Sequence, residues 1–348
     1  MSAHELDPSE RRDLLTALDR LEERLETATG GLHATGARAS ASALAAAGLP
    51  EGAALLWARY DGVELMSGEA RLFPLREIEA ATAEARDEGV LREGDIVVGE
   101  RGRHLFVLPA DPWAEGASVV RISEEADRVP EATSVVHLML GILGEVSVLY
   151  DDHGEFHDAL IDEWGDLEPA AHRKLLRRRL DFDPIAPGPR LQLARLLREA
   201  GELRGASKEI DKVLHYAPEF PAAHFERGLV LRALDKHDAA RRAFAKAAEH
   251  DIDGVDAAGF EAWAARVALE AAAGGDAGAQ RAAQKHAESA LRHRPDYAQN
   301  QLVGARARLE RRDPEAAAEL VALGLAVAPR HLELLQLRRE LDALEPTA

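Results

Sequence analysis

Four prolines in this chain fall into two pairs with the same spacing. Pro184 and Pro218 are 34 residues apart, and so are Pro295 and Pro329. Because proline lacks a backbone N–H and cannot continue the hydrogen-bond ladder, each position predicts the end of an α-helix. A period of this length is typical of stacked helix pairs, in which each pair buries its apolar face only against its neighbours. The pattern therefore predicts a helical array in the second part of the chain.

Small and apolar residues between these prolines recur with the same period. Each set has two small residues and a third residue one turn later; the sets are Ala194, Ala206 and Ile210; Gly228, Ala240 and Phe244; Ala271, Ala283 and Ala287; and Ala305, Ala317 and Val321. Two small residues let the helices of a pair approach closely. The pattern resembles the tetratricopeptide (TPR) repeat over residues 187–330. The alternative is an ordinary helical bundle.

The charge of the chain is unevenly distributed. Residues 1–167 contain 14 arginines, no lysine and 34 acidic residues, a net charge of −20, whereas residues 168–348 carry +1. This step predicts a domain boundary near 165–169. The total of −19 argues against binding to nucleic acid or to an anionic membrane, which need basic surfaces, and favours a basic protein partner.

The sequence also excludes several classes of chemistry and location. Cysteine is absent, which excludes disulfides, thiol nucleophiles and cysteine-ligated metals. Residues 1–15 lack the apolar run of a secretory signal, and no segment reaches the roughly 18 apolar residues of a membrane helix. These features predict a soluble, cytoplasmic protein without a cofactor.

The first part of the chain predicts an α+β domain. A helix begins at Asp7-Pro8, and residues 28–48 predict a mobile connection followed by a short alanine-rich helix. Short strands are predicted at Arg71–Phe73, Ile96–Val98, Leu105–Leu108 and Val119–Ile122, with helices at Leu75–Glu88 and Ser134–Tyr150. A small antiparallel sheet with helices, followed by an all-α TPR solenoid, is the predicted fold.

The predicted organisation has five parts. These are a leading helix and mobile connection (1–43), the α+β domain (44–165), a linker helix (166–186), the TPR-like repeats (187–330), and a capping helix with a tail (331–348). The capping helix is the amphipathic segment from His331 to Leu344, because the end of a solenoid needs a polar outer face.

Motifs in the first part occur in an order that suggests a family. In chain order they are Leu49-Pro50, Trp57, Tyr60-Asp61-Gly62 and Phe73-Pro74-Leu75-Arg76-Glu77-Ile78. Through them, residues 44–150 resemble the SUKH superfamily. The short loop after Gly62 and the extra leading helix depart from that family's pattern.

The SUKH resemblance implies a non-catalytic immunity protein that binds and neutralises a toxin, frequently a nuclease. An acidic domain suits this role, because nucleases are often basic and opposite charges steer association. The acidic face expected to meet the toxin comprises Glu64, Glu69, Glu124, Glu125, Asp127, Asp151 and Asp152. The alternative function is a TPR scaffold or adaptor that recruits a protein partner into a larger assembly.

The TPR resemblance implies an inner groove lined by the first helix of each pair. By repeat phase its residues are Gln192, Arg195, Arg198, Phe225, Leu229, Arg232, Leu302 and Arg306. The lysines and asparagines with which some TPR proteins clamp a C-terminal carboxylate are missing. Arginines beside apolar residues can hold an acidic-hydrophobic segment. Alternatively, the acidic first part of the chain fills the groove, or the arginines only solubilise the array.

Two further stretches resemble functional sites without matching their requirements. His153 and His157 are four residues apart, but Gly154 follows the first histidine where a zinc protease helix needs glutamate, so we predict a turn and no metal site. Gly99–Gly102 predicts a hairpin turn and not a phosphate loop.

The basic run Arg173–Leu180 predicts a helix whose leucines pack, while its arginines face solvent or pair with the acidic stretch 151–168.

Overall fold

The computed structural model describes residues 6–27, 32–151, 153–273 and 275–344, apart from the side chain of Trp113. The chain divides into two compact units. The first unit comprises Met1–Ala200 and Asp211–Glu219, and the second comprises Gly201–Ile210 and Phe220–Ala348. This division runs within one helix, α9 (Leu203–Tyr216). The five-part organisation expected from the sequence stays a prediction.

A seven-stranded sheet forms the centre of the described part of the first unit. Its strands are β1 (His33–Thr35), β2 (Val63–Leu65), β3 (Ala70–Leu72), β4 (Ile96–Arg101), β5 (His104–Leu108), β6 (Val119–Ile122) and β7 (Arg128–Ala132). Each strand pairs antiparallel with the next one in sequence. The predicted small antiparallel sheet is therefore confirmed. The hairpin turn is confirmed at Gly102, which has a φ of 57° between β4 and β5, whereas Gly99, also predicted in the turn, lies within β4 and pairs with Phe106.

Three of the strands were not predicted from the sequence. β1 lies in the segment expected to be a mobile connection, and its three residues are half-buried or exposed, so they show no apolar alternation. Pairing with β2, which is equally short, holds it in place. β7 contains Pro130, which argues against a central strand, but β7 is the last strand of the sheet and tolerates a missing donor.

Besides a short 3-10 helix at Asp158–Leu160, eight α-helices precede α9 in the described part of the first unit. They are α1 (Pro8–Thr27), α2 (Ala41–Ala47), α3 (Glu51–Trp57), α4 (Leu75–Asp87), α5 (Pro112–Glu115), α6 (Val135–Leu149), α7 (Pro169–Phe182) and α8 (Pro187–Glu199). α4 packs on β4, whereas α6 packs against α1, α3, α7 and β7. Twelve of the 15 residues of α6 are buried, because a helix that is apolar on all sides must be covered on all sides.

The second unit is a helical repeat region. Its remaining helices are α10 (Pro221–Ala233), α11 (His237–His250), α12 (Ala257–Ala272), α13 (Ala277–His293), α14 (Tyr297–Glu310), α15 (Pro314–Val327) and α16 (Leu332–Leu344). The four periodic prolines follow the ends of α7, α9, α13 and α15, each two residues after the last helical residue. The helix ends predicted from the prolines are confirmed, as is a terminal helix, α16, which packs on α15.

Helix α15 joins two apolar clusters of the second unit. Leu323 and Val327 pack in a cluster with residues of α11, α12 and α13. Val321 and Leu325 pack in another cluster with residues of α14 and α16. α15 therefore presents apolar side chains in two directions, and it buries five consecutive residues, 323–327, as expected of a helix covered on several sides.

Gly228 and Phe244 lie in close contact between α10 and α11. A Cβ atom at Gly228 would lie 2.5 Å from a carbon of the Phe244 ring, so only glycine fits at this position. The ring of Phe244 is fully buried and stacks on Trp263 of α12 at a centroid distance of 5.5 Å. The small residue on the first helix thus admits an aromatic ring that also reaches the next helix pair.

Candidate protein-binding surfaces

Three turns bring part of the predicted acidic face together. In an antiparallel sheet with this strand order, the turns β2–β3, β4–β5 and β6–β7 lie at the same end. Glu69 in the first turn pairs with Arg101 at 3.3 Å, and Arg103 in the second pairs with Glu124 in the third at 3.3 Å. Glu69, Glu124, Glu125 and Asp127 are all exposed there. We call these four carboxylates and two arginines the turn-end surface.

The other predicted acidic residues lie apart from the turn-end surface. Glu64 is exposed in the middle of β2, in register with Arg71 of β3. Asp151 is half-buried and accepts the backbone N–H groups of His153 and Glu155 at 2.8 and 2.9 Å. The hydrogen bonds from Glu155 and His153 hold the pKa of Asp151 below its usual value, so this carboxylate shapes a turn. Asp152 lies outside the described residues.

A shallow groove of about 300 Å³ is lined by one side of α4 and by residues of strands β3–β5. Its apolar floor and glutamate rim consist of Phe73, Glu77, Ala81, Glu84, Ala85, Glu88, Glu100 and Leu105, together with Arg71. Arg71 pairs with Glu100 at 2.7 Å and its guanidinium lies 4.9 Å from the centre of the Phe73 ring. The remaining glutamates leave the groove acidic. Sequence reasoning missed it, because its residues come from a helix and three strands.

The basic run in α7 contributes to a buried ion-pair network. Arg179 bonds to Glu131 of β7 and lies 3.3 Å from Glu145 of α6. Arg121 contacts Glu131 at 3.3 Å, and Arg101 contacts Glu145 at 2.7 Å. Burial raises the pKa of Glu131, but Arg179 and Arg121 lower it by more, so its pKa lies below the ordinary value.

The environment predicted for the arginines of this run is partly wrong. Lys174 and Arg177 are exposed as expected, and Leu175 and Leu176 are buried. Arg179, however, neither faces solvent nor pairs with residues 151–168. Its position four residues after Leu175 places it on the buried face of the helix, where carboxylates of β7 and α6 compensate its charge.

Glu131 makes a contribution to stability that depends on pH. Because its folded pKa is lowered, the ionised carboxylate stabilises the fold above the ordinary value of 4.5, and this stabilisation is lost as the pH falls through the folded pKa. We expect the wild type to have a higher unfolding free energy than Glu131→Gln. This difference should be largest at neutral pH and should decrease in acid. Urea unfolding of both proteins across this range measures it. An equal difference at all pH values contradicts the assignment.

The predicted groove residues of the second unit form a stripe on α10. Phe225, Leu229 and Arg232 are spaced by four and three residues, lie on one face of the helix, and are half-buried. The ring of Phe225 contacts those of Phe260 and Trp263 at centroid distances of 5.2 and 6.1 Å. The stripe therefore lies beside α12. We call it the α10 stripe.

A charged cluster on α10 and α12 borders the α10 stripe. Arg232 donates three hydrogen bonds to Glu270, at 3.2, 3.1 and 2.9 Å, and Arg266 lies 3.3 Å from the same carboxylate. The guanidinium groups of Arg232 and Arg266 lie 5.2 and 5.0 Å from the centre of the Trp263 ring. Burial and Arg232 lower the pKa of Arg266. Two cations thus share one glutamate, with Glu319 3.5 Å from Arg266.

The other predicted groove residues are dispersed. Gln192, Arg195 and Arg198 are half-buried on α8, which belongs to the first unit, and Arg198 pairs with Glu199 at 3.3 Å. Arg306 is exposed on α14 and pairs with Glu333 at 3.0 Å. Leu302 is fully buried in the cluster of α14, α15 and α16, so it belongs to the core and not to an open surface.

The two histidines considered as metal ligands lie in irregular structure. His153 and His157 are exposed, and Gly154 between them has a φ of 80°, so no helix presents them on one face. Within the described ranges, no group of three or more histidine, aspartate or glutamate side chains is arranged to hold a metal ion. The described helices also include none with the length and apolarity needed to cross a bilayer.

Comparisons with known proteins matched solved structures only. A scan against protein-family models and a search of characterised proteins found no match. Part of the chain is similar to MamA, with 16% identity and a TM-score of 0.32 over 46% of this chain and 88% of that one. It is also similar to the APC/C hetero-tetramer Cut9-Hcn1, with 15% identity and a TM-score of 0.32 over 49% of this chain and 33% of that one. A third similar structure is YrrB, described as a TPR protein with an unusual peptide-binding site, with 16% identity and a TM-score of 0.25 over 47% of this chain and 97% of that one.

Proposed function

We propose that this chain is a non-catalytic scaffold or adaptor that recruits a protein partner through TPR-like repeats of its second unit. The observation that carries the proposal is the α10 stripe beside the charged cluster of α10 and α12. Half-buried Phe225 and Leu229 offer apolar contact, and Arg232 and Arg266 add donors next to them. An apolar strip with charge at one end is a typical peptide-docking surface.

The charges of the cluster indicate the chemistry of the partner segment. Arg266 lies beside both Glu270 and Glu319, so a carboxylate of the partner can bond to the guanidinium edge of Arg232 that Glu270 leaves unfilled. Leu269, adjacent to Glu270 on α12, is 43% exposed. An acidic side chain followed by an apolar one fits this arrangement. The partner is therefore a protein segment of acidic-hydrophobic sequence.

A second candidate function uses the first unit. The turn-end surface and the groove beside α4 are acidic, and residues 1–167 carry −20, so a basic partner is attracted to this unit. Together with the SUKH resemblance, this supports an immunity-type protein that binds a basic toxin. The scaffold function is preferred, because the paired helices of the second unit are a built repeat, whereas acidic surface alone specifies no partner.

Two sets of substitutions in the full-length chain distinguish these functions. The first, Leu229→Asp with Arg232→Glu, reverses the character of the α10 stripe. The second, Glu69→Lys with Glu125→Lys and Asp127→Lys, reverses the turn-end surface. Each variant and the wild type capture partners from the native lysate, mass spectrometry identifies them, and circular dichroism confirms that each variant is folded.

The scaffold function predicts that the main partner is lost with the first variant and retained with the second. Its binding segment should then be acidic and apolar in sequence. Loss with the second variant only, together with a basic partner whose binding weakens at high salt, establishes the immunity-type function instead. Capture unchanged by either variant contradicts both.

A further inference from the structure

The segment between α6 and α7 contains one seven-residue motif twice. Residues 150–156 read YDDHGEF and residues 161–167 read IDEWGDL, eleven positions later. In both copies an apolar or aromatic residue is followed by aspartate, a second acid, a variable residue, glycine, an acid and another apolar residue. The repetition predicts two copies of the same local structure.

The second copy is a closed hairpin with tryptophan at its tip. The two outer residues form an antiparallel bridge. Asp162 Oδ1 accepts the backbone N–H groups of Trp164 and Asp166 at 2.8 and 3.0 Å, and Asp162 N–H donates to the Asp166 carbonyl at 2.8 Å. Gly165 takes a φ of 86°, which favours glycine. We call residues 161–167 the tryptophan hairpin.

The first copy has the same hydrogen bonds. Its outer residues also form a bridge, Asp151 Oδ1 accepts two backbone N–H groups in the same way, and Gly154 has a φ of 80°. His153 occupies the position that Trp164 has in the second copy. The fold of the hairpin thus depends on aspartate and glycine, and neither histidine nor tryptophan is needed to form it.

Trp164 is therefore not explained by local structure. Its side chain is 81% exposed at the tip of a hairpin that is fixed by its own backbone bonds. Glu163 and Asp166 beside it are also exposed. Tryptophan on a preformed turn loses little entropy on binding and can bury a large area, which is typical of an interface anchor.

A basic groove lies at the same end of the first unit. It has a volume of about 700 Å³ between α6 and α7 and is lined by Ser147, Val148, Ala170, Arg173, Lys174, Arg177, Arg178 and Asp181. Its position is close to the hairpins, because α6 ends at Leu149 and α7 begins at Pro169. Asp181 pairs with Arg178 at 3.3 Å, and the cations outnumber this carboxylate.

We propose that the tryptophan hairpin of one copy of this chain docks in the basic groove of a second copy, and that the second copy's hairpin docks in return. Trp164 meets the apolar floor of Val148 and Ala170 and the guanidinium groups at the rim, while Glu163 and Asp166 pair with Lys174 and Arg177. A hairpin and a groove on the same unit are self-complementary, as a two-fold dimer requires.

Trp164 is exposed, and the residues that line the groove of its own chain include none of the tryptophan hairpin. The attraction acts at contact distance, where it is stronger than the repulsion between distant acidic residues of the two copies. At physiological ionic strength, the repulsion between acidic residues of the two copies is screened beyond about 8 Å. The acidic stretch and the basic run thus pair between chains.

Sedimentation velocity of the full-length chain over a wide range of concentrations tests the dimer. The wild type should dimerise as its concentration rises, and Trp164→Ala should weaken the dimer by about tenfold or more. Lys174→Glu with Arg177→Glu makes the groove acidic, and Glu163→Lys with Asp166→Lys makes the hairpin basic. Each of these double variants alone should be monomeric, because hairpin and groove then carry the same charge.

Mixing the two double variants is the decisive measurement. In the mixed dimer the acidic hairpin meets a basic groove and the basic hairpin meets an acidic groove, so association should return. The matched control, Glu79→Lys with Asp87→Lys on the exposed face of α4, should dimerise like the wild type. A monomeric wild type, a dimer indifferent to Trp164→Ala, or no association of the folded double variants when mixed overturns the proposal.

Discussion

The Arg179→Ala variant is expected to lose about 3–5 kcal/mol of unfolding free energy, since removing one partner of a buried ion pair leaves uncompensated charge in the core. Glu131 and Glu145 are 3% and 5% exposed, so water reaches neither of them freely. Each keeps one other arginine, Arg121 and Arg101 respectively, which places the expected loss towards the lower end of the range. Urea unfolding followed by circular dichroism measures it.

Arg177→Ala is the matched control for this measurement. Arg177 lies two residues before Arg179 in the same helix, has the same helix propensity and is exposed. At a protein concentration too low for dimerisation, its replacement should therefore change stability by no more than about 0.5 kcal/mol. Equal effects of the two substitutions would show that the network of Arg179 does not contribute to stability.

The Phe244→Ala variant is expected to lose a similar amount, about 3–5 kcal/mol, because it opens a cavity at the centre of the second unit. The ring is fully buried and contacts the rings of Trp263 and Phe225, each at a centroid distance of 5.5 Å. Truncation removes both contacts at once. Thermal unfolding of the variant should therefore show a lowered transition for the second unit.

Gly228→Ala provides the control for the cavity. In an otherwise wild-type chain, the methyl group of the new alanine would meet the Phe244 ring, which should lower the unfolding free energy by about 1–3 kcal/mol. In the Phe244→Ala background the space is open, and the substitution should instead stabilise α10 by up to about 1 kcal/mol. Gly259→Ala, with no heavy atom within 4 Å of the added Cβ, should be favourable in both backgrounds. Additive effects of Gly228→Ala and Phe244→Ala contradict the contact.

The helix ends could be predicted from the sequence because proline acts on its own helix. Pro184, Pro218, Pro295 and Pro329 each end a helix through local chemistry, without help from distant residues. Strand β1 could not be predicted, because its three residues adopt extended structure only by pairing with β2. The buried ion pairs of Arg179 could not be predicted either. The leucine spacing locates the buried face of α7, but not the carboxylates that face it.

For the candidate surfaces too, some features could be predicted from the sequence and others could not. Repeat phase placed Phe225, Leu229 and Arg232 on one face of α10, but the partner of Arg232, Glu270, is 38 residues away and outside the repeat pattern. Leu302 holds the corresponding phase and is buried, because α16 and α15 cover that part of α14. The motif shared by residues 150–156 and 161–167 can also be read in the sequence, although our prediction for this segment extended only to a turn around Gly154.

Helix α15 imposes an order on how the second unit can form during synthesis. Its residues complete the apolar cluster of α11 to α13 as well as that of α14 and α16. The cluster of α11 to α13 is therefore complete only after residues up to Val327 have been translated. Until then a nascent chain exposes the part of this cluster that Leu323 and Val327 cover, which is a site where chaperones can act. Shortening this array from its C-terminal end should consequently disturb helices far upstream, unlike the removal of a terminal unit from a simple linear solenoid.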